Sequence, residues 1–260
     1  MKILAINGSY RKNGNTARMI DMVATQMQEI ASKKQGNFEF EIVHLGHQDI
    51  GFCRGCRVCF DKGEQKCPLQ DDLLSIYQKI LSADGLILAS PVYVNDVSGI
   101  MKNWIDRNAF LSHRPAIAGK QAMIITTVGL GPTRHASRTM AEVLTTWGVI
   151  LVGEQGFKMG ARMPKTHAQS LFQDRAMKAA TRFYRALEKP AVPSFLSLMT
   201  FRIQQGYWWQ ELPNDSVDVR YWQSQGWTHP QRDYYISHQA NKLKISMARL
   251  IGTILVPFVT

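Results

Sequence analysis

Short apolar runs alternating with helical patterns constrain this 260-residue chain more than any other feature. Lys2 to Ile6 is an apolar run that stops at Asn7-Gly8-Ser9. About Thr16 to Ala31 then places Met19, Ile20, Val23, Met27 and Ile30 on one helical face. Phe38 to Leu45 reads as a second strand. Asp71-Asp72 open a helix carrying Leu73, Leu74, Ile76, Tyr77, Ile80 and Leu81, where negative charge complements the positive end of the helix dipole. Gly85 to Ala89 is continuously apolar, as in a strand covered on both faces, and Ser90-Pro91 should end it because proline has no ladder donor. Helical spacing returns around Ile100 to Ile105. A fourth strand follows at Ala122 to Val128, a helix over about Arg134 to Trp147, a fifth strand at Val149 to Gly153, and a long helix from about Ser170 to Leu187. Five strands alternating with helices, without a strong hairpin signal, predict an α/β fold. Its core should be a five-stranded parallel sheet with right-handed crossovers and helices on both faces. Ligands of such sheets bind at the carboxyl ends of the strands.

Pro190 and Pro193 punctuate the end of the long helix, and the composition then changes, so residues 1–189 and 190–260 are expected to form separate units. Tyr207, Trp208, Trp209, Tyr221, Trp222, Trp227, Tyr234 and Tyr235 crowd the second. Tryptophan and tyrosine suit a surface half in contact and half in water, which points to an extension covering an apolar face or reaching over a neighbouring subunit. Asn241 to Thr260 combines Lys242, Lys244 and Arg249 with an apolar series from Leu243 to Phe258. It is too short and too charged to cross a bilayer and reads as an amphipathic helix. Such a helix docks on its own domain, on a second subunit, or, as the lesser alternative, on a membrane surface.

Charge narrows the partners. The formal net charge is +11, yet residues 1–106 hold 12 basic and 12 acidic side chains, so the whole excess lies in residues 107–260. A nucleic-acid platform is not expected, because Glu211, Asp215, Asp218 and Asp233 interrupt the aromatic stretch and no nucleic-acid module is visible. Arg175, Lys178, Arg182, Arg185 and Lys189 share one helical face, either a solvated face or a docking surface for an acidic electron carrier such as ferredoxin. With 45% hydrophobic and 20% charged residues, the composition excludes extended disorder. The apolar start is too short for a signal-peptide core, and the four cysteines are confined to Cys53–Cys67, so a reducing, cytoplasmic location is expected.

The first loop runs Gly8-Ser9-Tyr10-Arg11-Lys12-Asn13-Gly14-Asn15-Thr16 between a buried strand and a helix. Glycine turns, hydrogen-bond donors and a helix start together favour an anion such as phosphate, although the loop matches neither the nucleoside-triphosphate nor the dinucleotide glycine pattern. Ser90-Pro91-Val92-Tyr93-Val94-Asn95 and Thr126-Thr127-Val128-Gly129-Leu130-Gly131-Pro132 follow other parallel strands on the same sheet edge, where Tyr93 offers a flat face and Asn95 and the glycine amides offer hydrogen bonds to a polar ring. His113 and His135, lone histidines near these loops, are assigned no catalytic role.

Gly-Ser-x-Arg-x-x-x-Asn-Thr after the first strand, Ser-Pro-Val-Tyr-x-Asn after the third, the Met101-Lys102-x-Trp104-Ile105-Asp106-Arg107 helix and Thr-x-Gly-x-Gly after the fourth resemble the flavodoxin-like NAD(P)H-dependent FMN reductases over about residues 1–188. The resemblance implies FMN, with its phosphate on Ser9, Arg11, Asn13, Asn15 and Thr16. Its ring would lie near Pro91, Val92, Tyr93, Asn95, Thr127 and Gly129. It also implies NADH or NADPH as co-substrate, a small-molecule acceptor such as a quinone or flavin, and a homodimer or homotetramer. Tyr10 stands where many relatives have proline. Cys53-x-x-Cys56-x-x-Cys59 followed by Cys67-Pro68 is similar to the compact motif of iron–sulfur flavoproteins in the same group. Four thiolates suit a 4Fe-4S cluster or zinc, and successive two-residue spacers favour the cluster, since zinc sites more often use two separated pairs. The loop could also be left empty as structure. The competing functional class is a non-catalytic metal-binding sensor or scaffold with a vestigial flavin site.

Overall fold

The computed structural model describes residues 1–160 and 163–258. Its strands are β1 (Lys2–Asn7), β2 (Glu39–His44), β3 (Gly85–Tyr93), β4 (Asp96–Val97), β5 (Gln121–Val128) and β6 (Ile150–Lys158). The helices are α1 (Asn15–Lys33), α2 (Val58–Asp61), α3 (Leu73–Ser82), α4 (Gly99–Arg107), α5 (Arg134–Thr146) and α6 (Lys165–Leu187), followed by α7 (Phe195–Gln210), α8 (Val217–Ser224) and α9 (Lys242–Leu255). Five strands form a parallel sheet in the order β2-β1-β3-β5-β6, a flavodoxin-like arrangement, and β4 pairs antiparallel with the end of β3 as a sixth.

Side-chain alternation along the central strands builds the two cores. Leu4, Ile6, Leu86, Leu88, Ala122 and Ile124 face one layer with Ile76 and Ile80 of α3, Trp104 of α4 and Met140 of α5. Ile3, Ala5, Ile87, Ala89, Met123 and Ile125 face the other, against Ile20 and Val23 of α1 and Ala180 and Phe183 of α6. Because the strands run parallel, the turns after β1, β3 and β5 emerge on one edge of the sheet.

The third strand runs longer than expected. Ser90-Pro91 does not end it: Pro91 stands opposite Thr127 of β5, while pairing with β1 stops at Ala89. At Ser90 and Pro91, between the end of β1 pairing and the start of β4 pairing, the strand has an open side, where proline's missing N–H breaks no ladder bond. The chain then reverses through Val94 and Asn95, both at positive φ (46° and 73°), into β4. This hairpin turn lacks the glycine that usually announces one.

The carboxyl-terminal extension is helical, with a third core of Phe201, Trp208, Trp222, Trp227, Tyr234 and Tyr235. Its polar tips find partners: Trp222 Nε1 donates to the His113 carbonyl at 2.7 Å, Trp227 Nε1 to the Tyr235 carbonyl at 3.0 Å, and the Tyr234 hydroxyl to the Gly148 carbonyl at 3.1 Å. Gly148, at φ 72°, also permits close approach, since a Cβ there would lie 2.8 Å from Tyr235 Cε2. Gly148 and Ile150 lie at the amino end of β6, so the aromatic cluster covers an apolar surface on the sheet edge opposite the ligand loops. The expected terminal helix is present as α9, with Val259 and Thr260 outside the described residues.

Candidate functional site

The anion loop is tightly braced. Gly8 N–H donates to the Ala89 carbonyl of β3 at 2.8 Å, and the Ser98 hydroxyl, at the start of α4, donates to the Gly8 carbonyl at 2.5 Å. A Cβ on Gly8 would sit 2.8 Å from Met101 Cβ, so only glycine fits this crossing. Ser9 Oγ accepts from the Arg11 N–H at 3.2 Å, and Thr16 and Thr127 hydroxyls meet at 2.7 Å, tying the loop to the end of β5. Gly14 precedes α1 and supplies no side-chain cap. The first amides of α1 are therefore left to an external acceptor, as expected for an anion site. Arg11, Asn13, Gly14 and Asn15 line an open cleft of about 430 Å³ together with Arg18, Met163 and Pro164. A larger cleft of about 510 Å³ between α1 and α6 shares only Asn13 with the expected flavin contacts.

Pro91 and Thr127 are adjacent across the ladder, while Tyr93, Val94 and Leu130 project from the rim with exposures of 48%, 101% and 94%. A positive φ at a β-branched residue such as Val94 is unfavourable and marks a held conformation at a rim. Asn95 tolerates that region, so the turn by itself accounts for an asparagine there. Asp96 anchors the hairpin by accepting from the Thr139 hydroxyl at 2.8 Å. Ser9, Arg11, Asn13, Asn15 and Thr16 thus gather on one side of this edge, with Pro91, Val92, Tyr93, Asn95, Thr127 and Gly129 beside them. His135 lies 3.6 Å from Asp96, whereas His113 belongs to the extension interface.

Two histidines escaped the reading of the anion loop. His44 Nδ1 faces the Asn7 amide at 3.0 Å, and His47 Nε2 faces the Tyr10 carbonyl at 3.0 Å. Burial, then His47 and Lys12, holds the His44 imidazole below its ordinary value, with Asp21 opposing. The unfolded chain therefore takes up this proton first, and stability falls as pH drops through the window just below 6.5. Urea midpoints should show a shallower acid loss in His44→Gln than in the parent; identical slopes would remove His44 from the account.

All four cysteines line one small cavity, of about 90 Å³, together with Phe60, Leu69 and Arg107. Its base is stitched by buried polar contacts. Arg107 forms a two-pronged ion pair with Asp71 (2.5 and 3.1 Å), donates to the Gly51 carbonyl at 2.8 Å, and places Nη2 3.8 Å from Cys67 Sγ. Burial alone would push the Asp71 carboxyl up, but bonds from Arg107 and the Gly51 and Leu73 amides hold it below its ordinary value. Asn103 accepts from the Cys53 N–H at 3.2 Å. Burial, with Cys67 and Cys53 adding, pushes the Cys59 thiol up. Among the described residues no three histidine, cysteine, aspartate or glutamate side chains are drawn into one metal-binding group.

Arg114 links this loop to the extension. It pairs with Asp218 of α8, with Glu64 at 2.9 Å and with the Cys59 carbonyl at 2.6 Å, and is 5% exposed. Contacts between residues so far apart in sequence leave no periodic signal. Ser98 was more accessible to sequence reasoning, as a serine immediately before a helical pattern.

Residues 1–162 match the family model described as NADPH-dependent FMN reductase, more than half of the chain. An iron–sulfur flavoprotein of Archaeoglobus fulgidus is 36% identical over 154 residues, covering 59% of this chain and 66% of its own length. One of Methanosarcina thermophila is 29% identical over 158 residues, covering 59% and 78%. The solved structure of RosB, with a bound 8-demethyl-8-formylriboflavin-5'-phosphate intermediate, has a TM-score of 0.54 at 14% identity and covers 93% of this chain and 92% of its own; the likeness is one of fold. The chain belongs to the NADPH-dependent FMN reductase family. It spans about half to two thirds of the length of the first archaeal relatives it matches.

Proposed function

We propose that this chain is an FMN-dependent oxidoreductase that takes electrons from NADH or NADPH and passes them to a small acceptor such as a quinone or flavin. The observation that carries the reading is the uncapped start of α1 beside Ser9, Arg11, Asn13 and Asn15, joined through the Thr16–Thr127 contact to the Pro91–Tyr93 rim. When bound, FMN supplies hydride acceptance and one- or two-electron transfer. The chain's part is to hold the phosphate on the loop amides and Arg11, to orient the ring against Pro91 and Thr127, and to leave one side accessible at the Tyr93, Val94 and Leu130 rim. No general acid or base is required of the protein for hydride transfer.

Cys53, Cys56, Cys59 and Cys67 are proposed as ligands of a 4Fe-4S cluster. Their donor chemistry and shared cavity support this reading, as does the name iron–sulfur flavoprotein carried by the archaeal relatives. A cluster would supply one-electron exchange with an external carrier, and the basic α6 face is the proposed landing surface for an acidic one. Lys178, Arg182 and Arg185 flank a shallow groove there, whereas Arg175 is held by Gln155 at 3.0 Å and stacks over Phe157.

Anaerobic mixing of the FMN-loaded protein with NADH and NADPH tests the activity. At least one nucleotide should bleach the bound flavin and an added quinone should restore it; no bleaching with either would remove the reductase reading. Protein isolated anaerobically should contain iron and acid-labile sulfide, both lost in Cys56→Ser. Zinc without sulfide would replace the cluster.

A further inference from the structure

Helix α9 lies outside the family match and is apolar on two opposite faces. Ala248, Gly252 and Val256 turn inward against α7, where a Cβ on Gly252 would meet Arg202 Cβ at 2.9 Å. Leu243, Met247, Leu250, Ile251, Ile254 and Phe258 turn outward, with exposures from 37% to 80%. At ~100° per residue the five of these within α9 fall within an arc of roughly 100° facing away from the buried side, and Phe258 follows in the closing 3-10 turn. A solvated helix has no reason to carry such a second stripe, and contiguous exposed apolar surface of this kind marks an interaction site.

The charges choose the occupant. Lys244 borders the stripe, Lys242 opens the helix on the adjoining polar face, and α9 contains no acidic residue. Among the described residues neither lysine has a carboxylate partner. A second copy of this face would bring no carboxylate to meet them. An anionic lipid headgroup layer would meet them with phosphates, and the Lys244 stem can lie along the apolar border while its ammonium group reaches them. Ile251 also widens the stripe beyond the narrow seam that two paired helices share. At ~21 Å, α9 is shorter than a hydrocarbon core of about 30 Å, and among the described residues no helix is long and apolar enough to cross a membrane.

We propose that the outer face of α9 docks the protein, in the plane of the interface, on anionic lipid surfaces. This does not depend on the flavin or the cysteine loop. The test is flotation of the full-length protein with vesicles of phosphatidylcholine alone or mixed with phosphatidylglycerol, alongside light scattering of the free protein. The protein should float with the anionic vesicles and far less with the neutral ones. Lys244→Gln should weaken binding about fivefold, and Lys242→Gln should weaken it less. Leu250→Glu with Ile254→Glu, both at exposed positions, should abolish binding while the far-ultraviolet spectrum is unchanged. Absence of binding to anionic vesicles overturns the proposal, as does equal binding to both vesicle types. It is also overturned if the glutamate pair converts a dimer into a monomer and the parent binds no vesicles, because the face would then belong to a second copy. Lys244→Gln keeps the test open if the glutamate pair fails to fold.

Discussion

Arg114→Leu should destabilise the protein by about 3–5 kcal/mol, the usual cost of removing one partner from a buried ion pair and leaving the other charge behind. Arg114 and Asp218 are both 5% exposed, and the same guanidinium serves Glu64 and the Cys59 carbonyl. Leucine would fill space without replacing any of these bonds. The loss should appear in urea or guanidinium unfolding, and the Cys59 segment should become more reactive toward thiol reagents because its carbonyl tether is gone. Arg114→Lys should recover only part of the stability, since one ammonium cannot span three acceptors on three separate segments. A leucine variant within about 0.5 kcal/mol of the parent, the range of ordinary surface substitutions, would show that the extension and the cysteine loop do not depend on this hub.

Gly8→Val should be the most damaging single change for flavin binding. The added side chain would begin 2.8 Å from Met101 Cβ and 3.1 Å from Ser98 Oγ, which itself holds the Gly8 carbonyl. Overpacking of this kind typically costs 1–3 kcal/mol. Here the strain relaxes by moving the loop whose amides are proposed to receive the phosphate, so FMN affinity should fall by about tenfold or more. Fluorescence titration of the apoprotein measures this. Gly8→Val binding FMN as tightly as the parent would separate the loop's geometry from the cofactor.

Much of the layered fold was legible because burial on both faces writes itself into sequence. Ile3 to Ile6, Leu86 to Ala89 and Ala122 to Val128 are long apolar runs, and the helices between them carry clear stripes. The β3–β4 hairpin was not legible, since Val94 occupies a left-handed conformation in place of the expected glycine and Pro91 sits where the ladder has already opened on one side. β6 was read only to Gly153 but continues to Lys158, because its half-buried edge position dilutes the apolar pattern. The residues expected at the phosphate and ring loops fall on the same sheet edge because parallel strands deliver their loops there. The supporting partners, Asp71 with Arg107, Arg114 with Asp218, and His44 with Asn7, were hidden because ion pairs and hydrogen bonds between distant segments impose no spacing on either one.

The central claim is that the uncapped start of α1 and its loop form a phosphate cradle for a flavin mononucleotide. Equilibrium titration of the apoprotein with FMN and with riboflavin, which share the ring and differ in the phosphate, tests it most directly. Charge-assisted hydrogen bonds contribute about 1.5–3 kcal/mol each, so two or more at the phosphate should make FMN bind about 100-fold tighter than riboflavin or better. Equal affinity for the two, or no binding of FMN, would contradict the account.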